Sequence, residues 1–143
     1  MRVMSETEWR TFVTEGTRTG KLANTRLDGR PHVAPVWFDL DEDDGTLVFT
    51  TGADTLKGKA LRRDPRVAIC VDDETPPFAF VLIEGTAVLS EDPEDLLTWA
   101  TRIGARYMGA EVAEAYGQRN AVPGELLVRV TPTHVVARAG IAD

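Results

Sequence analysis

The sequence contains few of the residue types that most often build reactive or metal-binding sites. Cys70 is its only cysteine, and His32 and His134 are its only histidines. A single cysteine excludes an internal disulfide, and it excludes the thiolate clusters that hold zinc or iron–sulfur centres. Neither histidine has neighbours at the spacing of a metal-ligand set or a catalytic triad. We therefore predict no metal site and find no support for Ser-His-Asp or Cys-His catalysis.

Cys70 lies in an apolar, strand-like run at residues 67–71. A reactive thiolate needs an electropositive and partly exposed environment, and this run offers neither. The context predicts instead a small buried side chain that packs as a hydrophobic residue.

Long apolar runs and extended basic surfaces are also absent. The first eight residues lack the apolar segment of a signal peptide, and no stretch approaches the ~18 residues that cross a bilayer. We expect a cytosolic protein without a membrane-spanning segment. The net charge is −7, and the one basic cluster is too short for a nucleic-acid footprint. The length fits a single domain, residues 1–143, at ~100–200 residues per domain.

Alternating apolar residues and turn signals predict about six strands. The Asp28-Gly29 pair is typical of a hairpin turn, and a single strand is expected over residues 32–40 after it. Three strands in succession are then expected to pair antiparallel before the basic helix, and a second hairpin follows that helix. The predicted strands are residues 21–27, 32–40, 47–51, 66–71, 78–89 and 125–138, the last bent at Pro132.

Helix signals lie at the margins of this pattern. Ser5 and Glu8 form a capping box for a helix that ends near Gly16. Asp92 caps a second helix, and residues 117–124 are expected to form a loop. The apolar stripe predicted for the second helix consists of Leu96, Leu97, Ala100 and Ile103. The whole pattern indicates a mainly β, α+β fold with a closed or partly closed antiparallel barrel, because closure removes exposed strand edges.

Positive charge is concentrated in one short segment. Five of the sixteen basic residues fall within ten positions, just after a strand and a break at Gly52. Asp54 or Thr55 can cap a helix there, and that helix must end before Pro65. A strand that leads into a basic helix favours phosphate binding. The five residues are Lys57, Lys59, Arg62, Arg63 and Arg66.

Lys57 is the residue of this segment with two open interpretations. At about 100° per residue it projects within the apolar arc formed by Leu56, Ala60 and Leu61. Its ammonium group either meets an anion in a cleft beneath the helix or reaches water while the stem is buried. The three arginines of the segment are expected to form a solvated face.

Several ordered segments resemble one known family. They are DGRPHVAPVWF at residues 28–38, TTG at 50–52, K-x-K-x-L-R-R-D-P-R-V at 57–67 and EG-x-A at 84–87. This pattern resembles the split-barrel flavin and deazaflavin superfamily related to pyridoxamine-phosphate oxidase. More narrowly, it is similar to the actinobacterial branch that depends on the deazaflavin coenzyme F420. The segments 106–109, 118–125 and 126–133 are also similar to that branch.

The resemblance implies a six-stranded antiparallel split β-barrel with flanking helices, assembled as a homodimer with the coenzyme between the barrels. Pro35, Val36, Trp37, Thr50 and Thr51 would line the ring and the ribityl chain. The phosphate would be held by Lys57 and Lys59, and the ring would be flanked by Phe78 and Phe80 of the partner subunit. Ala60 and Thr55 depart from the family pattern, since many relatives have asparagine and a basic residue there.

The implied activity is hydride transfer from reduced F420 to a conjugated acceptor such as an enone, a quinone or a tetrapyrrole. No catalytic amino acid is required for such a transfer. Trp37, Phe38, Phe78 and Phe80 would favour a flat acceptor. Alternatives are an FMN-dependent oxidoreductase of the same barrel type, a non-catalytic carrier of a cofactor or pigment, and a barrel whose basic helix is merely solvated.

The residues favour the deazaflavin over FMN. The coenzyme tail is polyanionic, and a protein of net charge −7 needs a local positive cluster to attract it. Flavin-using relatives are usually arginine-rich at the phosphate, whereas residues 23–26 offer only Arg26. Arg106, Arg119 and Asn120 are further candidates for contact with the tail or the acceptor, and Glu84-Gly85 is interpreted as a bulge or a dimer contact.

Overall fold

Eight antiparallel strands form one sheet that encloses most of the hydrophobic core. The computed structural model describes all of residues 1–143. The strands are β1 Arg2–Val3, β2 Gly20–Thr25, β3 Pro31–Val36, β4 Asp39–Asp41, β5 Thr46–Gly52, β6 Arg66–Asp73, β7 Ala79–Ser90 and β8 Glu125–Ala139. The helices are α1 Glu6–Thr14, α2 Leu56–Arg63, α3 Pro93–Met108 and α4 Ala113–Asn120, with a 3-10 turn at Ala110–Val112. None of these helices combines the length and the apolar character that crossing a bilayer requires.

The predicted barrel class is confirmed, but the expected number of strands is wrong. The two-residue strand β1 is too short to show a sequence pattern, and the single strand expected over residues 32–40 is two strands, β3 and β4. Trp37 and Phe38 separate them. Because both residues are apolar, the sequence pattern predicts one continuous strand. In the structure, β3 pairs with β2, whereas β4 pairs with β5.

The order of strands in the sheet is β3-β2-β6-β7-β8-β5-β4, with β1 also paired to β8. The expected three-strand succession is therefore wrong, since β3 and β5 are not neighbours. Trp37 and Phe38 carry the chain from one edge of the sheet to the other. The sheet is thus closed by a covalent crossing and not by a complete ring of hydrogen bonds, which is the geometry of a split barrel.

Strand β5 is buried on both faces. Leu47 and Phe49 point into the barrel core. Val48 points outward and packs with residues of α3 and β8 in a second, smaller cluster of Val48, Leu96, Trp99 and Leu127. Double-sided burial explains why residues 47–49 form a continuous apolar run rather than an alternating one.

The bulge predicted at Glu84-Gly85 is confirmed. Glu84 pairs with His134 and Gly85 pairs with Pro132, so Thr133 of β8 has no partner across the ladder. A Cβ atom on Gly85 would lie 2.5 Å from the carbonyl oxygen of Thr131. Only glycine fits this close approach. The bulge lies beside Pro132, where a bend of β8 is expected.

Two helices follow their predicted caps. Ser5 and Glu8 make both hydrogen bonds of the capping box at α1. Thr55 caps α2, and its hydroxyl accepts a hydrogen bond from the Gly58 N–H. The buried face of α2 consists of Gly58, Ala60 and Leu61, whereas Leu56 is exposed, which corrects the expected apolar arc.

The last two helices depart from the sequence interpretation. The core face of α3 is formed by Leu96, Trp99, Ala100 and Ile103, and Leu97 is exposed. The predicted loop at 117–124 is wrong because α4 continues to Asn120. Gly117 does not break that helix. It provides room for α3, since a Cβ atom there would collide with the Thr101 hydroxyl.

Cys70 is only partly buried, on the outer face of β6, which corrects the expectation of a small buried side chain. Burial still raises the pKa of its thiol, and nearby Asp72 raises that pKa further. Both effects favour the protonated, unreactive form.

Candidate functional site

The start of α2 is fixed to the end of β5 by a group of short contacts. The Thr55 hydroxyl donates to the Gly52 carbonyl at 2.7 Å and lies 3.2 Å from the Thr51 hydroxyl. Gly58 packs directly on the Gly52 carbonyl, where no side chain would fit. The strand-to-helix junction is therefore rigid, and the backbone positions of the residues that follow Thr55 are set by it.

Lys57 and Lys59 lie on this anchored helix without protein partners. Lys57 is half-buried and Lys59 is exposed. No carboxylate lies within 4.0 Å of either ammonium group, and neither makes a side-chain hydrogen bond. The third lysine, Lys21, is paired with Asp72, and most arginines are also paired with carboxylates. Two residues apart on a helix, the lysines project roughly 200° from one another, so they face different sides of α2.

The arginines of the basic segment are exposed, as predicted, and they have partners in the protein. Arg62 lies 3.4 Å from Glu91, and Arg66 lies 2.7 Å from Asp64. Arg63 donates to the carbonyl oxygen of Thr25 at 3.1 Å. The two lysines are thus the cations of this segment that stay free for a ligand.

Glu125 lies beside Lys57 and was not singled out from the sequence. It pairs with Gly52 across the β5–β8 ladder and is half-buried. Burial raises the pKa of the Glu125 carboxyl, and the positive charge of Lys57 opposes that shift. The sequence carries no signal for this neighbourhood, because it depends on the pairing of two strands that are far apart in the chain.

An aromatic group occupies the crossing between β3 and β4. The Trp37 ring stacks on Tyr107 of α3, with ring centroids 4.9 Å apart and an interplanar angle of 6°. Tyr116 of α4 lies 6.1 Å from Trp37 and is tilted by 40°. Trp37 remains 40% exposed. The two tyrosines were not predicted as site residues, because their contact with Trp37 depends on how α3 and α4 pack.

The residues predicted to line the ring fall on two segments of the chain. Pro35, Val36 and Trp37 lie at the end of β3 and the start of the crossing, whereas Thr50 and Thr51 lie near the end of β5. The crossing leads directly into β4, which pairs with β5. Pro35 and Trp37 are exposed, Thr50 is half-buried, and Val36 and Thr51 are buried.

Phe78 and Phe80 lie at the opposite end of the sheet. Phe80 is level with Arg138, whereas Ser90, at the far end of β7, is level with Leu127, the partner of Thr50. At about 3.3 Å per residue, roughly 30 Å of strand separates Phe80 from Ser90. One copy of the chain therefore cannot bring the two phenylalanines to its own α2.

Other candidate residues are less accessible than the sequence indicated. Ala60 is buried on the inner face of α2. Phe38 is completely buried in the barrel core, so it is not available to contact an acceptor, contrary to expectation. Arg119 is exposed on α4, and Asn120 is half-buried at its end.

Arg106 has a structural role, which corrects its candidacy as a ligand contact. Its guanidinium donates to four backbone carbonyls, those of Val13, Gly16, Arg18 and Phe38, at 2.6–3.2 Å. It also lies over the Phe38 ring, 4.7 Å from the centroid. Burial lowers the pKa of Arg106, and the carbonyl dipoles take the place of a carboxylate partner.

Tyr107 completes this junction. Its hydroxyl donates to the Arg18 carbonyl at 2.7 Å and accepts from the Phe38 N–H at 3.3 Å. Burial raises the pKa of the Tyr107 phenol. Both polar positions of the hydroxyl are occupied by backbone, so Tyr107 holds the crossing in place and presents its ring to Trp37.

Comparison with known proteins places this geometry in context. A curated protein of Streptomyces rimosus, named 5a,11a-dehydrotetracycline/5a,11a-dehydrooxytetracycline reductase, is 37% identical over 75 residues, which cover 48% of this chain and 52% of that protein. The alignment thus spans about half the length of that relative.

Two solved structures are similar over most of the chain. A conserved hypothetical protein from Mycobacterium tuberculosis has 31% identity and a TM-score of 0.84, covering 96% of this chain and 86% of that chain. A structure named F420 reductase has 25% identity and a TM-score of 0.67, covering 87% of this chain and 94% of that chain.

The predicted resemblance is confirmed by a family model. That model carries the description pyridoxamine 5'-phosphate oxidase and matches residues 5–139, from the cap of α1 to the end of β8. The chain belongs to the pyridoxamine 5'-phosphate oxidase family.

Proposed function

We propose that this protein is an F420-dependent reductase that transfers a hydride from the reduced deazaflavin coenzyme to a flat, conjugated organic acceptor. The observation that carries the proposal is the pair of unpartnered lysines at the anchored start of α2, just after β5. The strand β4, which pairs with β5, follows Trp37, whose ring is 40% exposed. A cationic helix start together with an exposed aromatic ring suits a coenzyme that joins a planar ring to an anionic arm.

The charges of the site fit the coenzyme tail. Lys57 is half-buried beside the end of β5, where one ammonium group can neutralise a phosphate. Lys59 projects to another side of α2, where it can meet a further anionic group of the tail. Thr50 and Thr51 add hydroxyl groups near the end of β5, just before the helix that carries the lysines.

A second copy of the chain would complete the ring site. Phe78 and Phe80 lie roughly 30 Å of strand away from their own α2, so only a partner subunit can bring them to the ring. We therefore propose a homodimer with a coenzyme site at each end of the interface, related by a twofold axis.

The bound coenzyme would supply the hydride. The residues of this chain would hold its phosphate, position its ring and exclude water from the face that the acceptor occupies. The Tyr107 hydroxyl, next to Trp37, is engaged with backbone and is not free to donate a proton. The protein's contribution is thus binding and orientation, and we expect the proton for the reduced acceptor to come from water.

The class of acceptor follows from the aromatic edge and from the named relative. The Trp37 ring, which stacks on Tyr107 and is 40% exposed, can offer flat aromatic surface to a conjugated ring system. The Streptomyces rimosus relative is named as a reductase of dehydrotetracyclines, which are conjugated multi-ring compounds. We propose an activated enone, a quinone or a tetrapyrrole as the acceptor.

Binding titrations and turnover assays test this proposal together. We expect the purified protein to bind F420 more tightly than FMN, and to oxidise reduced F420 in the presence of at least one enone, quinone or biliverdin. Tighter binding of FMN would favour a flavin-dependent oxidoreductase. Tight binding without coenzyme oxidation above the protein-free rate would favour a non-catalytic carrier of a cofactor or pigment.

A further inference from the structure

We propose that Trp37, Tyr107, Tyr116 and Arg119 form a preorganised binding wall for the acceptor, and that this wall selects conjugated molecules that carry an anionic substituent. The inference rests on the proposed reductase function and deepens it by naming the acceptor chemistry. The four residues come from the β3–β4 crossing, from α3 and from α4.

Close helix packing fixes the tyrosine part of the wall. A Cβ atom on Gly104 of α3 would lie 2.7 Å from the Tyr116 Cβ atom, and one on Gly117 would collide with Thr101. Glycine at both positions lets α3 and α4 approach closely. Tyr116 is therefore held at one position relative to Tyr107, which lies one turn further along α3.

Polar contacts fix the tryptophan part. The backbone of Phe38, next to Trp37, donates to the Tyr107 hydroxyl and accepts from Arg106 at 2.6 Å. The crossing is thus held on both its N–H and its carbonyl side. A ring system that stacks on this wall would lose little entropy to ordering of the protein, which favours binding.

Apolar side chains are exposed at Trp37 and at the turn that joins the two helices of the wall. Trp37 is 40% exposed, and Met108 and Val112, at the turn between α3 and α4, are 48% and 39% exposed. Grouped exposed apolar residues on a soluble protein mark a binding surface more often than isolated ones do. Their flat and flexible shapes suit a conjugated ring.

Arg119 gives the wall its charge preference. It follows Tyr116 by one helical turn, and its guanidinium lies 5.7 Å from the Tyr116 ring centroid. It is exposed and makes no ion pair, whereas Arg102 of α3 lies 3.8 Å from Asp39 and over the Trp99 ring. A free guanidinium beside an aromatic wall can bind a carboxylate or an enolate through two parallel hydrogen bonds.

Steady-state kinetics with a matched pair of acceptors test the inference. The probes are a naphthoquinone that carries a carboxylate and its neutral methyl ester, each used with reduced F420. In Arg119→Gln we expect KM for the carboxylate to rise about tenfold, the size expected for loss of one charge-assisted hydrogen bond, while KM for the ester stays unchanged. Arg119→Lys should restore part of the preference, and the control Arg102→Gln should leave the carboxylate-to-ester ratio unaltered.

A second measurement separates this inference from the proposed function. Quenching of tryptophan fluorescence by the carboxylate probe, without coenzyme, should be lost in Trp37→Phe and weakened about tenfold in Arg119→Gln. If this holds while no F420 turnover occurs, the proposed function fails and the wall stands. Equal effects of Arg119→Gln on acid and ester, or quenching that survives in Trp37→Phe, would overturn the inference.

Discussion

The junction around Arg106 and the start of α2 are both rich in positive charge, but they use it in opposite ways. Arg106 donates to four carbonyls and lies over an aromatic ring. Lys57 and Lys59 have no carboxylate within 4.0 Å, although α2 is anchored by several hydrogen bonds of its own. Charge density alone therefore does not identify a binding site. We propose that the cations that the fold leaves without partners mark the binding site.

The two regions also differ in what their side chains require. A planar guanidinium with five donors can satisfy several carbonyls at once, so arginine suits a buried structural position. An ammonium group on a flexible stem can follow a mobile phosphate. The use of two of the three lysines of the chain on α2 agrees with this difference.

The largest expected effect is on stability, from removal of the guanidinium at the junction. In Arg106→Ala the four carbonyls lose their donor, and we expect the free energy of unfolding to fall by about 2–4 kcal/mol. Urea unfolding followed by circular dichroism measures this, and Arg106→Lys should recover only part of the loss. A change below about 0.5 kcal/mol would mean that water replaces the guanidinium and that the contrast between the regions is false.

The next effect is on binding, from removal of one free lysine. In Lys57→Ala we expect F420 affinity to weaken by about 1.5–3 kcal/mol, with the free energy of unfolding unchanged within about 0.5 kcal/mol. The matched control is Arg62→Ala, since Arg62 lies on the same helix but is exposed and paired with Glu91. Equal affinity of wild type and Lys57→Ala for both F420 and FMN would mean that the basic helix is merely solvated.

The smallest effect concerns Glu125, whose carboxyl pKa is raised by burial although Lys57 opposes the shift. Because the folded-state pKa lies above the ordinary value of 4.5, the protonated form favours the fold. Its contribution to stability is present below pH 4.5 and is lost as pH rises through the raised pKa. In Glu125→Gln we therefore expect a shallower loss of stability over that window, measured by thermal unfolding as a function of pH.

Glu125→Gln should also affect coenzyme binding, because Glu125 lies beside the free Lys57. When it is ionised, the Glu125 carboxylate competes with an anionic ligand for the positive charge of Lys57. Removing its charge should tighten F420 binding roughly threefold, as expected for a charge interaction of about 0.5–1 kcal/mol near a surface. A weaker affinity in Glu125→Gln would instead assign the carboxylate a direct role in holding the coenzyme.

Much of the fold could be predicted from short sequence patterns. The caps of α1, α2 and α3, the hairpin between β6 and β7, and the bulge at Gly85 depend on residues close in sequence or on glycine and proline, and all were predicted. The division into β3 and β4 was not predicted, because alternating apolar residues do not show where a strand ends and the next one pairs with a different neighbour. The extension of α4 through Gly117 was missed because glycine was interpreted by its backbone freedom and not by the space it leaves for α3.

The site was predictable to a lesser degree. The sequence pattern named the edge residues and the lysines, but their ligand contacts are still predictions. Glu125, Tyr107 and Tyr116 could not be identified, because each reaches the site through a strand register or a helix packing that links distant segments. Arg106 was named only as a candidate contact, and its carbonyl partners could not be predicted because they come from segments far apart in the sequence.

The crossing at Trp37 and Phe38 places two opposite demands on adjacent residues. Phe38 is sealed inside the barrel, whereas its neighbour Trp37 offers 40% of its surface to solvent. One peptide bond thus links a side chain of the barrel core to an exposed aromatic ring. Substitutions at position 37 should therefore alter ligand preference without unfolding the protein, whereas substitutions at position 38 should destabilise the barrel. A library that varies both positions together should lose most of its members to misfolding.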